Sequence, residues 1–333
     1  MSKERTLVTE LVTAMGMIPA WNLEMLDTDL PAPRELVGFE DAEWELLRSL
    51  WREDDFRDAF VESFASGRYF LSASQGLRDR PPQIVEWKGK HQSPEHDPLP
   101  VDIRVDHVFA VSCKNYSKIL LNPSPNSLFR HALTEGGVTG LDWFNESAPT
   151  EYLNLLRATF EYLGMGKAPE SVAALSSEQR SELKNAFRNW PEELEPVVQS
   201  FVAAVSLKSA ESLNSVLSTI RDRERFFWRI MRIHSAPYFM LGNQRSGSVH
   251  LRVLTPWDFR RRFDFRGLEI MPEVRGQAQV RWRALVTDAE SGSDVETEGH
   301  IEVRWSHGRF NKAPEGKIYL DTPHHLAAGY VQI

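Results

Sequence analysis

The sequence predicts a mixed α/β protein of the α+β kind, in which helical and strand-rich zones alternate along the chain. Three observations carry that expectation. Apolar residues recur at helical spacing through roughly the first 75 residues and again from Thr150 to about Ile233. β-Branched and aromatic residues alternate with a period of two between residues 81 and 135 and from Pro237 to the end. A chain of 333 residues, 41% of them hydrophobic, can bury the core of two domains or of one elaborated domain. The zones divide the chain at 1–149, 150–234 and 235–333, the middle segment being a helical lobe or insertion.

In order along the chain, a Pro-containing loop at Leu30 to Pro33 interrupts the helical N-terminal zone. An acidic amphipathic helix is expected from Asp41 to Phe64, because Phe56, Phe60 and Phe64 form an i, i+4, i+8 stripe that docks it on a sheet. A strand follows from Gln83 to Lys88, then a polar loop from Lys90 to Pro100. Val101 to Val105 and Val108 to Val111 alternate as two strands around Asp106-His107, a pair suited to a tight antiparallel turn. Ser124 to Leu133 reads as a further helix. In the helical middle, Ser176-x-x-Gln179 is a capping box, and Leu183, Phe187 and Trp190 continue an apolar stripe until Pro191 opens a new element. Beyond Pro237, strands are expected at Val249 to Leu254, Ala278 to Val286 and His300 to Trp305, with turns at Glu290 to Ser293 and Ser306 to Arg309. The sequence carries no internal repeat and no low-complexity segment.

The stretch VDIRVDHVFAVSCKNYSK, Val101 to Lys118, concentrates the residues that carry chemistry. Asp102 lies across the hairpin from Ser112-Cys113-Lys114. A loop with a third, bulged residue puts Asp102, Ser112 and Lys114 on one face, whereas a strict two-residue loop puts Asp102 out of phase with Lys114. In this order of helix, strand, hairpin and helix, over roughly residues 45 to 135, the chain resembles the PD-(D/E)xK, or restriction-endonuclease-like, nuclease superfamily. It departs from that pattern at two points: Asp102 follows Val101, with Pro100 one residue earlier, and Ser112 stands where relatives carry the acid before x-Lys. The resemblance implies a restriction-endonuclease-like core with a helical lobe and a β-rich C-terminal half. It also implies Mg²⁺-dependent endonucleolytic hydrolysis of DNA, in restriction–modification or anti-phage defence.

Phosphodiester hydrolysis needs a cation that neutralises charge on the phosphate oxygens and makes water a nucleophile near neutral pH. Mg²⁺, for which Mn²⁺ substitutes, takes hard oxygen ligands and keeps several waters, so one or two carboxylates suffice. The resemblance assigns Asp102 as the first metal ligand and Lys114 as the ammonium beside the attacking water, with Ser112 in the position of the usual acid. The second carboxylate stays open among three residues: Glu62, which shares a helix face with Asp58; Glu86, on the adjacent strand; and Glu135, downstream of Lys114. Each residue has a plainer reading as well. An Asp and a Lys on a hairpin are often just solvated ends, Glu62 is an ordinary surface acid, and Cys113 is a small core hydrophobe between Val111 and Asn115.

A net charge of −8 conceals an asymmetry: Arg221 to Phe310 contains 16 Arg, no Lys and 12 acids, a net of +4 that leaves −12 for the rest. Arginine's planar fork pairs with phosphates and guanine edges in a way lysine cannot match. Arg221 to Arg225, where Arg alternates with acids, reads as an ion-paired helix surface. Arg260-Arg261-Arg262, set between Trp257 and Phe263, reads as a basic loop with interleaved aromatics that contacts DNA. A competing site lies further on, where Glu302 precedes a literal Glu315-x-Lys317 placed at a turn before a strand; it reads as a structural hairpin or part of a recognition surface. His324 and His325 are adjacent, so on a strand they face opposite sides and do not share a metal. Walker-type, G-x-G-x-x-G, G-x-S-x-G and Cys-rich zinc patterns are missing, which leaves nucleotide-driven and acyl-transfer chemistry unsupported.

The single cysteine excludes an intramolecular disulfide framework, and no apolar run approaches the ~20 residues of a membrane helix. A cytoplasmic protein without a membrane partner is therefore expected. Cutting both strands of a duplex implies a homodimer, and a defence role implies an operon-encoded partner. Two rivals stand beside the nuclease: a catalytically silent DNA- or protein-binding module, which Ser112 favours, and an enzyme centred on Glu302, Glu315 and Lys317.

Overall fold

The computed structural model of the chain describes residues 3–89, 99–133, 142–187, 189–244 and 247–333. Along it run α1 (Lys3–Gly16), β1 (Leu36–Val37), α2 (Asp41–Trp51), α3 (Asp54–Ser72), β2 (Val85–Trp87), β3 (Ile103–Val105), β4 (Phe109–Asn115) and β5 (Ile119–Leu121). Among the described residues the α-helices α4 (Pro125–Phe129), α5 (Trp143–Ser147), α6 (Pro149–Leu163), α7 (Ser177–Ala186), α8 (Glu195–Val216) and α9 (Ile220–Ile230) follow. The chain closes with β6 (Tyr238–Gln244), β7 (Gly247–Val253), α10 (Pro256–Arg262), β8 (Phe263–Val274), β9 (Ala278–Asp288), β10 (Asp294–Arg304), β11 (Glu315–Leu320) and β12 (Tyr330–Gln332). This is a mixed α+β architecture with two sheets. Among the described residues no helix is long and apolar enough to cross a membrane.

The chain divides into two compact units, one of residues 1–117, 232–262 and 323–333, the other of 118–231 and 263–322. Each is assembled from separated segments, whereas the zones read from the sequence run consecutively.

The first unit is built on a seven-stranded sheet of order β1-β2-β3-β4-β6-β7-β12. β2, β3 and β4 form an antiparallel meander, β6 joins β4 in parallel, and β7 and β12 continue antiparallel. A parallel neighbour requires a crossover rather than a hairpin, and here the crossover contains residues 118–231 of the second unit. One face of the sheet carries Val85, Ile103, Val105, Val111, Phe239 and Leu241, which pack with Val8, Leu11, Val12, Met15, Phe60 and Phe70 of α1 and α3. The two helices approach at Gly16 and Gly67, where a Cβ on either would run into the backbone of the other.

Several expected elements change in length. The helix expected over Asp41 to Phe64 is two helices, α2 and α3, parted at Arg52 and Glu53, and α3 opens on Asp54 and Asp55 at its electropositive N-terminus. Its phenylalanine stripe holds: Phe60 is fully buried, and Phe56 and Phe64 pack half-buried on the same core. The strand over 83–88 shortens to β2, and the helix over 124–133 to α4, capped by Ser124. Both bonds of the Ser176/Gln179 capping box form, but α7 ends at Ala186, so Phe187 is extended and Trp190 lies beyond the helix.

In the second unit an antiparallel sheet of order β5-β11-β10-β9-β8 packs against α8 and α9. Trp282 of β9 is fully buried and meets Phe227 of α9 at 6.4 Å. Polar residues of α8 dock on the same sheet: Ser206 Oγ donates to the Glu273 carbonyl at 3.0 Å and accepts from Gln279 N at 3.1 Å.

Candidate active site

The phase of the β3–β4 hairpin decides what the Val101 to Lys118 stretch can do. Val105 pairs with Phe109, so the loop takes three residues, and the Val108 N–H donates to the Val105 carbonyl at 2.9 Å. Asp106 and His107 sit in the left-handed region at φ 49° and 57°, a conformation that Asp and His tolerate better than most residues. Asp106 Oδ1 also accepts from Gln83 N and Ile84 N, which ties the turn to β2. With Ile103 opposite Val111, the ladder sets Asp102 opposite Ser112, and Lys114 follows two residues on, on the same face.

Asp102 Oδ2 accepts the Cys113 N–H at 2.6 Å and the Ser112 hydroxyl at 3.2 Å. Ser112, only 2% exposed, thus serves as a donor that holds the aspartate in place. Burial pulls the Lys114 ammonium below its ordinary range, Asp102 works against that shift, and Arg232 adds to it. From α1 comes Glu10. Burial, and then the charge of Asp102, push its carboxyl from an ordinary value of 4.5 up to about 8, against the pull of the Trp87 indole that donates to it at 2.7 Å. Cys113 is pushed well up by burial and by the same two carboxylates, and it bonds Thr13. That fits a packed thiol rather than a reactive one. Tyr238 of β6 is also raised, by burial above all and by Asp102, with Arg232 opposing.

β6 supports the site from beside β4. Gly242 pairs with Lys114 at φ 136°, and a Cβ there would strike the Lys114 carbonyl. A glycine is what allows β6 to run this close.

The other sequence candidates are placed differently. Glu62 accepts from Tyr116 Oη at 3.1 Å and Asn243 Nδ2 at 2.9 Å, in a cleft of about 190 Å³ whose lining also includes Asp58 and Lys114. Glu86 pairs with Lys88 at 3.2 Å and opposes Arg104. Glu135 lies outside the described residues. The acid that Asp102 perturbs is Glu10, which the sequence reading did not single out. Its signal was an acid set among Leu7, Val8, Leu11 and Val12 on one short helix, all of which the fold buries.

Arg260, Arg261 and Arg262 form the last turn of α10 rather than a loop; Arg260 and Arg261 are exposed and Arg262 is half-buried. Trp257, 72% exposed, shares a helix face with Arg261 four residues later. Arg223, read as part of an ion-paired surface, donates instead to the Leu268 carbonyl and to Asn214 Oδ1. Glu315-x-Lys317 opens β11 itself, not a turn before it. Glu302 opposes Lys317 and accepts from Arg304 and Tyr319 at 3.2 Å each, while Glu315 pairs with His307 at 3.1 Å. His324 and His325 lie in a short 3-10 turn rather than on a strand, and His324 is buried, stacked on Tyr330.

Among the described residues no group of three or more His, Cys, Asp and Glu is arranged to hold a metal ion. Asp102 and Glu10 do feel each other's charge, and one or two carboxylates completed by water suit Mg²⁺ or Mn²⁺. Burial above all raises the Glu10 pKa, and the like charge of Asp102 adds to it, a repulsion that a bound cation would relieve. Compared with known proteins, the chain matches no family model, no curated protein and no solved structure.

Proposed function

We propose that the first unit is a divalent-metal-dependent DNA endonuclease with a restriction-endonuclease-like core. The observation that carries this reading is the β3–β4 ladder, which sets Asp102 and Lys114 on one face, with Asp102 held by Ser112 and the Cys113 amide and its charge felt by Lys114 and by Glu10 of α1. The β2-β3-β4 meander, with α1 and α3 packed on its sheet, is the feature of the fold that supports this reading.

Asp102 and Glu10 would hold Mg²⁺ or Mn²⁺, which when bound neutralises phosphate charge and makes water nucleophilic near neutral pH. Ser112 and the Cys113 N–H fix the rotamer of Asp102. Lys114 orients the attacking water, and its lowered pKa brings it closer to accepting a proton than a solvated lysine is. The exposed face of α10, with Trp257, Arg260 and Arg261, holds the phosphate backbone. Restriction or anti-phage defence, a homodimer that supplies two sites for a duplex, and an operon-encoded partner complete the proposal.

Purified protein is incubated with supercoiled plasmid and Mg²⁺, Mn²⁺ or EDTA, beside Asp102→Asn, Glu10→Gln and Glu315→Ala. Cation-dependent cutting that the first two abolish and the third retains is the expected result. Loss in Glu315→Ala alone moves the centre to the Glu302, Glu315 and Lys317 group. A second reading, a silent DNA- or protein-binding module, draws on the burial of Ser112 where an acid would stand; DNA binding without cutting under every cation would establish it.

A further inference from the structure

The second unit holds a cleft of about 500 Å³, within the size range of small-molecule sites. Its walls are aromatic. Trp305 meets Phe144 edge-on at 4.6 Å and stacks on Phe201 at 5.7 Å. Trp190 packs at 6.2 Å and 58° to Trp305, and both indoles belong to the wall of the cleft.

Cations occupy the same lining. The Arg309 guanidinium lies 4.1 Å from the centroid of the Trp190 ring, and its Nη1 donates to the Phe187 carbonyl at 2.6 Å. That bond ties the loop after β10 to the segment after α7, so this wall of the cleft is held together by the chain itself. Burial lowers the pKa of Arg309, yet a guanidinium stays charged. Lys184 lines the cleft beside it. Of the other charged residues in the lining, Arg304 is paired with Glu302 and Glu195 accepts from Gln199 Nε2.

Charge and shape together select a ligand class. An aromatic cage for an alkylammonium leaves its ring faces to the ligand's cation, whereas here a guanidinium already covers Trp190 and a lysine stands near it. A planar heterocycle carrying a phosphate satisfies both halves of the lining. Its ring stacks on indole, and its phosphate meets the guanidinium fork and the ammonium. Asn189 and Gln277, also in the lining, offer amide donors and acceptors to a base edge.

We propose that this cleft binds a single nucleotide, either a free nucleoside monophosphate or an unpaired nucleotide of a strand. The proposal is independent of the chemistry at Asp102.

Calorimetric titration of the full chain with AMP, GMP, CMP and UMP, with the matching nucleosides and with inorganic phosphate, tests it. At least one monophosphate should bind in the micromolar to submillimolar range, and its nucleoside and phosphate alone at least ~10-fold more weakly. Trp190→Ala should cost ~10-fold or more, the loss of one base stack. Lys184→Gln, a change at an exposed side chain that leaves the aromatic wall intact, should weaken the monophosphate severalfold and leave the nucleoside unchanged. Asp102→Asn should bind as the wild type does. Duplexes with one unpaired nucleotide, titrated beside fully paired ones, separate the sources: a preference for the unpaired nucleotide that Trp190→Ala erases marks a strand. The proposal fails if neither monophosphates nor the unpaired duplex bind. It also fails if binding ignores Trp190 and Lys184, if the nucleoside binds as well as the monophosphate, or if Asp102→Asn removes binding.

Discussion

Asp102 is the residue on which the candidate site turns, because its carboxylate bonds Ser112 and the Cys113 amide and its charge acts on both Glu10 and Lys114. Asp102→Asn keeps an oxygen acceptor for both donors but removes the charge. Cleavage should therefore vanish while stability stays within about 1 kcal/mol, as chemical denaturation beside a plasmid assay will show. Lys114→Ala should lower the cleavage rate by roughly 10² to 10³ with little effect on DNA affinity; a parallel fall in affinity would make Lys114 a phosphate anchor. Glu10 gives a readout free of catalysis. Its folded pKa of about 8 exceeds the ordinary 4.5, so the native state holds the proton more tightly than the unfolded chain does. The resulting stability is fully present below pH ~4.5 and is lost as pH rises through ~8. The melting temperature of the wild type should fall across that window relative to Glu10→Gln, and Mg²⁺ should restore part of the loss at pH 8 in the wild type alone.

At the scale of elements, the site depends on how closely β6 runs beside β4. Gly242 holds φ 136° with its Cα against the Lys114 carbonyl, so Gly242→Ala combines a strained conformation with a collision. A loss of roughly 1–3 kcal/mol or more is expected in urea unfolding, and a neutral result would mean the strands do not lie this close. The β3–β4 turn works in the opposite way. Asp106 and His107 carry their left-handed conformation without glycine because Asp106 also caps Gln83 and Ile84. The third loop residue that this turn admits is what brings Asp102 and Lys114 to one face.

Across the whole molecule, an acidic chain of net charge −8 carries its exposed Trp257, Arg260 and Arg261 on one short helix. Each phosphate contact contributes about 0.9 to the slope of log K against log salt on duplex DNA. Replacing Arg260, Arg261 and Arg262 together by Gln should flatten that slope by about 2 rather than 3, since Arg262 is half-buried. Equal loss on different duplexes marks backbone anchoring, and loss confined to one sequence marks base readout. An unchanged slope would remove α10 from the DNA surface.

The sequence by itself determined what short-range physics encodes. The alternation in Val101 to Val111, the Phe56, Phe60 and Phe64 stripe and the Ser176/Gln179 capping box are each written within a few residues, where periodicity and local hydrogen bonding decide the outcome. The hairpin itself was legible in the same way, though not its phase, since Asp106-His107 is compatible with loops of two or three residues. Element ends were less legible. The break at Arg52 and Glu53 falls inside one continuous amphipathic pattern, and α7 stops at Ala186 although apolar residues continue to Trp190. Only the tertiary structure decided that Glu10 of α1 comes near enough to Asp102 to feel its charge, and that β6 adds in parallel to β4 after a long excursion of the chain. It likewise set Arg309 on Trp190. Such meetings depend on which apolar faces bury one another, a choice made by the whole core and left open by any local stretch of sequence.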